Sequence, residues 1–296
     1  MSHLEAKPFS PDVRPLVHRT KGGTPYLQSP GVALMAKPTF YPEGLEGFLS
    51  GFEEWSDEAL GTPTPFEYIN DFIDNPLPDG TALCKFAGQL CYMSFGEGRT
   101  RNVDAERYFG NVFEQAHGSI LEHANYTFLL YGIGRDVTHE LVRHRAGFGF
   151  SQVSQRYVSG RLLRFVERLE LQGNEIDHDA FLDRIDDTRL GYDAFAERLM
   201  ATMSLEGKSR TEARKAVNQV ARAMLTNEVE APILVTANVR AWRHCIAMRA
   251  SKHADTAIRR AIFEVGRIMM QLEPILFGDL VVDESNFTLT PKYPKV

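Results

Sequence analysis

The stretch Arg143-His-Arg-Ala-Gly-Phe-Gly-Phe-Ser-Gln-Val-Ser-Gln-Arg-Tyr157 places three arginines, one histidine and two glycines within fifteen residues. Arginine stays charged at physiological pH, so a fold that gathers these guanidiniums must supply anions. The stretch contains no acidic residue, and guanidiniums suit phosphate because they bind it through two parallel hydrogen bonds. Gly147 and Gly149 would let the backbone approach a ligand closely. A solvated basic turn is the alternative, but the Gly-Phe-Gly-Phe run favours a half-buried platform around a bound anion.

The composition is that of a globular protein and excludes a disordered chain. The chain has 296 residues, of which 43% are hydrophobic and 24% charged, and this length suits one large domain or two small ones. The net charge of −6 argues against nucleic acid as the main partner. Three cysteines without a Cys-x-x-Cys pair fit a reducing cytosol. Because no apolar run approaches a membrane span or a signal peptide, we expect a cytoplasmic protein without a membrane partner.

Hydrophobic periodicity predicts the fold class α/β (α+β), a small central sheet flanked by helices. The first 80 residues hold eleven of the fifteen prolines, so we expect an irregular N-terminal extension over 1–80 that wraps the body. A single catalytic domain is predicted over 81–281, followed by a C-terminal tail over 282–296. The predicted helices are 81–91, 104–116, 135–143, a segment from 181 to 203 broken or bent at Gly191, 210–225, one after Asn238, and 255–272, with a helical turn or two in 45–55; the predicted strands are 31–35, 124–133 and 231–236.

The sequence also predicts burial and capping in three of these helices. Cys84 and Cys91 are expected in the core of the first long helix. A capping box, Ser209-Arg-Thr-Glu212, opens the helix over 210–225. That helix should carry a polar stripe, readable as a solvated face, opposite an apolar one; the stripe is Arg214, Asn218 and Arg222, and the apolar face is Val217, Val220 and Met224. Asn238 is placed to cap the helix whose basic residues could form a ligand site.

The opening stretch resembles the signature of flavin-dependent thymidylate synthases. In that family Arg-His-Arg is followed by a Ser and then, after one residue, by Arg-Tyr, which here are Ser154, Arg156 and Tyr157. The spacer Ala146–Val153 has eight residues where seven are usual. Further motifs match in order over about 94–253, reaching about 277; they are Ser94, His117, Ser119, Glu122, His123, Arg222, Asn238, Arg240, His244 and Arg249. Three positions depart from the usual residue, namely Glu140 for Gln, Thr226 for Pro and Met248 for Leu.

The resemblance implies reductive methylation at C5 of a uracil nucleotide. FAD would be the cofactor, with NADPH as its reductant and methylenetetrahydrofolate as the carbon donor, and dUMP would become dTMP. The family binds FAD without a Gly-x-Gly-x-x-Gly fingerprint, and this chain has none between a strand and a helix. Family members are homotetramers whose active sites form between subunits, which would explain many unpaired arginines in one chain.

The resemblance also implies a role for individual residues. Hydride addition to the pyrimidine pushes negative charge toward C5 and O4, which a fixed guanidinium near the ring edge would stabilise; Arg156 is the candidate. The implied catalytic residues are Arg156, Ser154 and His117. The implied cofactor-binding residues are Ser94, His117, Ser119, Arg143, His144, Arg145, Asn238, Arg240 and His244. The implied substrate-binding residues are Glu140, Ser154, Gln155, Arg156, Arg222 and Arg249, and no metal site is expected.

Three alternatives remain open from the sequence. UMP could replace dUMP as the acceptor, because a carboxylate such as Glu140 could accept a hydrogen bond from the ribose 2′-hydroxyl. A nucleotide- or RNA-binding module could use aromatic residues of the basic loop as stacking surfaces; these are Phe148, Phe150 and Tyr157. A metal hydrolase could use four histidines, although His-Glu-x-x-His is absent; these are His117, His123, His139 and His144.

Overall fold

A computed structural model describes residues 12–50, 65–95 and 99–296 of the chain. The strands are β1 (Asp12–Val13), β2 (Val17–Arg19), β3 (Pro25–Leu27), β4 (Gly31–Ala36), β5 (Asn125–Tyr131), β6 (Phe148–Gln152), β7 (Phe165–Val166), β8 (Ile233–Asn238), β9 (Leu280–Asp283) and β10 (Thr288–Pro291). The helices are α1 (Glu46–Ser50), α2 (Pro65–Asp74), α3 (Asp79–Cys91), α4 (Ala105–Glu114), α5 (Arg135–Leu141), α6 (Leu169–Gln172), α7 (Glu175–Thr202), α8 (Arg210–Ala221), α9 (Val239–Arg249), α10 (Thr256–Leu272) and α11 (Pro274–Phe277).

A central sheet of five strands has the order β1-β4-β5-β8-β6, and every neighbouring pair is antiparallel. Strands β5 and β8 alternate between buried and partly exposed side chains, the pattern of a sheet with one face on the core. The buried face packs against α9, where Trp242 meets Phe128 edge to face and donates a hydrogen bond to the carbonyl of Tyr126. The predicted fold class is confirmed, in its α+β form.

Helices predicted from periodicity are confirmed within a few residues at their ends, with one exception in α7. Gly191 was expected to break or bend this helix, but α7 runs without interruption from Glu175 to Thr202. One glycine inside a helix costs about 1 kcal/mol relative to alanine, which the tertiary packing of a 28-residue helix outweighs. A Cβ at Gly191 would lie 3.4 Å from Cε of Met224, an ordinary van der Waals contact, so the packing there does not require glycine.

The capping box at the start of α8 is confirmed, because the side chains of Ser209 and Glu212 each accept a hydrogen bond from the other residue's backbone amide. The predicted division of its faces is wrong in part. Asn218, expected on a solvated face, is buried and accepts a hydrogen bond from the hydroxyl of Tyr192 on α7. Packing against α7 therefore selects the face of α8; Val217 is buried, as expected, whereas Val220 and Met224 are exposed.

Residues of the predicted N-terminal extension contribute to the central sheet through β1 and β4. The strand predicted over 31–35 is confirmed as β4, and α1 lies within the helical turn predicted over 45–55. Residues 51–55 lie outside the described residues. At the other end, β9 and β10 form a hairpin, and the amide of Leu289 donates to the carbonyl of Ala250. The division of the chain at residues 80 and 281 stays a prediction.

A buried carboxylate joins three of these elements. Glu273, at the end of α10, is 3% exposed and accepts hydrogen bonds from the amides of Gly80 and Thr81 at the start of α3. It also accepts from the hydroxyls of Thr81 and of Tyr126 on β5. The first turn of a helix leaves amide donors without partners and favours an anion. Glu273 therefore caps α3 from almost two hundred residues away in the chain.

Within the described residues, no helix is both long and apolar enough to span a bilayer.

Candidate active site

The signature stretch forms the turn after α5, the edge strand β6 and the turn that follows it. Gly147 has φ +74°, and a Cβ there would lie 2.8 Å from the side-chain nitrogen of Asn238, so this position requires glycine. Gly149 has no such need, because its nearest neighbours would be 4.0 Å away. Phe148 and Phe150 are half-buried, and their rings stack 5.5 Å apart. The loop is therefore a packed platform, as the sequence predicted.

One cavity of about 290 Å³ lies at this platform and is called here the His144 cavity. His144 is 8% exposed, and Arg249 on α9 donates from Nε to its Nε2 at 3.0 Å. Because arginine only donates, Nε2 accepts and the ring is neutral, with its proton on Nδ1. Burial, together with Arg249 and His244, lowers the pKa of His144 to about 4. The cavity is lined by Arg143, His144, Arg145, Ala146, Phe148, His244, Met248 and Arg249.

Glu140 does not line this cavity but pairs with Arg249, which does. Its Oε2 accepts from Nη1 of Arg249 at 2.7 Å, and its backbone carbonyl accepts from Nη2 at 3.5 Å. Arg249 is thus held on two sides, by a carboxylate and by a neutral imidazole. Arg143 contacts the ring of His139 at 3.3 Å, and Arg145 makes no side-chain hydrogen bond or ion pair with any described residue.

A second cavity of about 640 Å³, called here the Ser94 cavity, lies where the ends of α3 and α4 meet the start of α9. Ser94, His117, Ser119 and Arg240, four of the predicted flavin contacts, line it. Arg240 donates to Glu122 at 2.6 Å, and both side chains are exposed to solvent by about half. Ala116 has φ +54° and turns the chain between α4 and His117. This left-handed backbone at a non-glycine residue is uncommon outside constrained sites.

A third cavity of about 490 Å³, called here the Arg222 cavity, contains two of the predicted substrate-binding residues, Gln155 and Arg222. It also contains Arg135, which the sequence analysis missed. Neither arginine has an acidic partner among the described residues. A cation in the first turn of a helix is unfavourable for the helix dipole, and this was the one signal in the sequence that could have singled out Arg135. The other lining residues are Gln219, Ala223, Leu225, Thr226 and Asn227.

Four of the predicted site residues line none of these cavities, namely Glu140, Asn238, Ser154 and Arg156. Asn238 caps α9, as predicted, because its side-chain oxygen accepts from the amide of Ala241 at 2.8 Å. Ser154 and Arg156 are exposed in the turn after β6, and Ser154 Oγ accepts from the amide of Arg156 at 3.4 Å. The side chain of Arg156 has no partner within the described part of the chain. Within one chain, therefore, most of the predicted residues are divided among three cavities and an exposed turn.

The cysteines offer little for nucleophilic chemistry. Burial raises the pKa of both Cys84 and Cys245 to about 12, so both remain thiols at neutral pH. Cys91 was expected in the core but is exposed, at the edge of the Ser94 cavity. It lies in the last turn of α3, where the helix leaves the core. For the metal alternative, the described residues contain no group of three or more histidine, cysteine or acidic residues that could hold an ion.

Comparisons with known proteins agree with these motifs. Residues 73–275 match the family described as thymidylate synthase complementing protein. The flavin-dependent thymidylate synthase of Mycolicibacterium gilvum is 40% identical over 203 residues, which cover 69% of this chain and 80% of that protein. The enzyme of the same name from Mycobacteroides abscessus is 40% identical over 216 residues, 71% of this chain and 86% of the relative. That from Mycobacterium bovis is 38% identical over 203 residues, again 69% of this chain and 80% of the relative.

Proposed function

Because the chain belongs to the family of flavin-dependent thymidylate synthases, we propose that it methylates dUMP at C5 to give dTMP. FAD is the cofactor, NADPH its reductant and methylenetetrahydrofolate the carbon donor. When bound, FAD supplies the hydride that the pyrimidine receives, and the protein binds, orients and polarises the reactants. The main support for a nucleotide substrate comes from Arg135 and Arg222 in the Arg222 cavity. Neither guanidinium has an acidic partner among the described residues, so both are available to bind an anion.

We assign the nucleotide phosphate to the Arg222 cavity. Arg135 and Arg222 present guanidiniums there, and Gln155, which is 7% exposed, adds an amide. Guanidinium pairs bind phosphate through several short hydrogen bonds. Thr226, which replaces the usual proline, adds a hydroxyl at the same cavity.

We assign FAD to the Ser94 and His144 cavities, which α9 connects. Arg240 lies in the first turn of this helix and Arg249 in its last, so the two are about 13 Å apart along the axis at 1.5 Å per residue. The Ser94 cavity has the volume of ordinary cofactor pockets and combines hydroxyl, imidazole and guanidinium groups. Such groups suit the pyrophosphate and the hydroxyls of a dinucleotide. His117 is placed on the folate side of the flavin by resemblance alone.

Arg156 is assigned to the pyrimidine, where its guanidinium stabilises the charge that develops at C5 and O4. Its exposure in one subunit supports an active site shared between subunits of a homotetramer, because this role requires exclusion of water. Ser154, beside it in the same turn, is assigned to the nucleotide.

UMP is the second candidate acceptor, and the position of Glu140 bears on it. A carboxylate free to accept a hydrogen bond from the 2′-hydroxyl would favour UMP. Oε2 of Glu140 accepts from Arg249 at 2.7 Å, and the carboxylate keeps further lone pairs that could accept from a 2′-hydroxyl, so dUMP is proposed on the family resemblance.

Two measurements test the proposal. Purified protein should be yellow and release FAD on denaturation, and a colourless protein that takes up no FAD would refute the flavin assignment. Parallel assays with dUMP and UMP, each with FAD, NADPH and methylenetetrahydrofolate, should give a higher kcat/KM for dUMP. An equal or higher value for UMP would overturn the acceptor and leave the flavin chemistry intact.

A further inference from the structure

Helix α2 lies almost wholly outside the region that matches the family, which begins at residue 73. It packs against α3 in a hydrophobic cluster separate from the central core. The cluster is rich in aromatic rings, and Phe95, immediately after Ser94, lies within it at 4.9 Å from the ring of Tyr68. Its buried members are Leu45, Leu49, Tyr68, Ile69, Phe72, Ala82 and Phe95.

Beneath these rings, a buried polar network connects α2 to the chain around Ser94. The hydroxyl of Tyr68 donates to Oε1 of Gln89 at 2.8 Å, and Nε2 of Gln89 donates to the carbonyl of Ser94 at 3.5 Å. The amide of Ser94 donates in turn to the carbonyl of Gln89 at 3.0 Å. Tyr68 and Gln89 are at most 1% exposed. One tyrosine hydroxyl on α2 therefore orients the side chain that holds the backbone of Ser94.

Arg99 connects α2 to Phe95, the residue that follows Ser94. Its Nε donates to the carbonyl of Phe95 at 3.1 Å, while Nη1 donates to Asp71 at 3.0 Å and Nη2 to the carbonyl of Glu67 at 3.2 Å. The side chains of Arg99 and Asp71 are 1% and 2% exposed. The guanidinium also lies over the ring of Tyr68, 5.2 Å from its centroid.

Lys85 completes the network without any carboxylate in contact. It is fully buried, and its Nζ donates to Asn102 at 2.8 Å and to Gln89 at 3.4 Å. Asn102 in turn donates from its backbone amide to Asp71 at 3.0 Å. Burial lowers the pKa of Lys85 to about 8. A buried cation is costly unless it has hydrogen-bond partners, which Asn102 and Gln89 supply here. Through Arg99 and Asn102, α2 therefore contacts residues on both sides of 96–98.

From these contacts we propose that α2 is a positioning element for the flavin site. It acts through Tyr68 and Gln89 on Ser94 and through Asp71 and Arg99 on Phe95. Ser94 lines the Ser94 cavity, whereas Tyr68 and Asp71 lie behind α3 and do not line it. This inference rests on the proposed function, because it assigns FAD to that cavity.

Tyr68→Phe tests the proposal with a minimal change. The variant keeps the ring against Phe95 and Arg99 but removes the hydrogen bond that orients Gln89. We expect the Kd for FAD to rise about fivefold, the effect of one buried hydrogen bond. The Kd for dUMP should stay within about twofold, because the Arg222 cavity is formed by other elements.

Tyr126→Phe is the matched control. It also removes a buried tyrosine hydroxyl, but that hydroxyl donates to Glu273 at the opposite end of α3. This variant should lose similar thermal stability while its Kd for FAD stays within about twofold. Equal losses of FAD affinity in both variants would show that the effect comes from general stability. That result, or an unchanged FAD affinity in Tyr68→Phe, would overturn the positioning role.

Coupling to Ser94 gives a readout that a merely structural role would not produce. Ser94→Ala should weaken FAD binding, and adding Tyr68→Phe should cost less in that background than alone. Additive losses would show that Tyr68 does not act through Ser94.

Hydrogen exchange tests the same contacts independently of FAD. In the protein without added cofactor, Tyr68→Phe should speed exchange at the amides of Ser94 and Asn102, and Tyr126→Phe should not. If wild-type protein binds no FAD, the proposed function fails, and unchanged exchange would refute the positioning contacts as well. If wild-type protein binds FAD but exchange and affinity are unchanged in Tyr68→Phe, only the positioning inference fails.

Discussion

Arg249 shows how one side chain determines the state of its neighbours. All its nitrogens are donors, so its contact with His144 requires a neutral imidazole that accepts. Glu140 satisfies the other side of the same guanidinium. The departure from glutamine at position 140 therefore changes the charge of the His144 cavity, since Glu140 offsets one of its cations.

The neutral state of His144 makes stability depend on pH. Its pKa is about 4 in the folded chain against an ordinary value of 6.5. Between these values the unfolded chain binds a proton that the folded chain does not, so the free energy of unfolding falls as pH drops from 6.5 toward 4. Urea unfolding across that range should show a smaller fall for His144→Gln, whose amide oxygen can still accept from Arg249. His253→Gln, an exposed control, should follow wild type, and parallel curves for all three proteins would contradict the assignment.

Arg156→Lys tests the charge-stabilising role at the pyrimidine. An ammonium cannot reproduce a planar, bidentate contact, so kcat should fall about a hundredfold, as for other lost donors to developing charge. Fold and FAD content should be retained, because the side chain makes no hydrogen bond or ion pair with any described residue. Arg161→Lys, an exposed residue paired with Asp193 and Glu197, is the control and should keep full activity. Turnover of Arg156→Lys within a few-fold of wild type would remove this role.

At the scale of elements, α3 depends on a carboxylate that its own sequence does not provide. Glu273 accepts four hydrogen bonds from the start of α3 and from β5, and burial raises its pKa. Truncation would leave several buried donors without an acceptor, each at a cost of about 1–3 kcal/mol.

We therefore expect Glu273→Ala to lower the free energy of unfolding by about 3 kcal/mol or more, measured by urea denaturation. Glu284→Ala removes an exposed carboxylate paired with Arg267 at 3.4 Å and should cost less than about 1 kcal/mol. Similar losses in the two variants would mean that Glu273 contributes no more than a surface charge.

At the scale of the whole molecule, the site residues of one chain are divided among separate cavities and an exposed turn. An assembly in which these surfaces of different chains meet would bring Arg156 to the cofactor. Mixed assemblies of His117→Ala and Arg156→Ala chains should therefore regain activity, because some sites would receive both intact residues.

The measurement is turnover after dissociation and reassembly of the two inactive variants, with each variant reassembled alone as the control. Mass spectrometry of the intact assemblies would establish that both chains are present. Mixed assemblies without activity would show that both residues of each site come from one chain.

The sequence by itself determined the family and many of the helices and strands. Periodicity and N-caps predicted α3, α4, α5, α8, α9 and α10 and three strands of the central sheet, because helical spacing and capping involve residues only a few positions apart. The order of motifs from Ser94 to Arg249 indicated the family, which the comparisons confirmed. The chemistry of side chains predicted an anion site from the arginines alone.

Only the tertiary structure decided which of these groups meet. Glu140 pairs with Arg249 across 109 residues, Glu273 caps α3 across 193, and Arg135 joins Arg222 at one cavity. Contacts with residues distant in sequence also kept α7 continuous at Gly191 and selected the buried face of α8. Such pairings depend on how the chain closes over long loops and on which side chains fill one core. Local spacing carries no record of these contacts, because the partners lie on elements that approach each other only after folding.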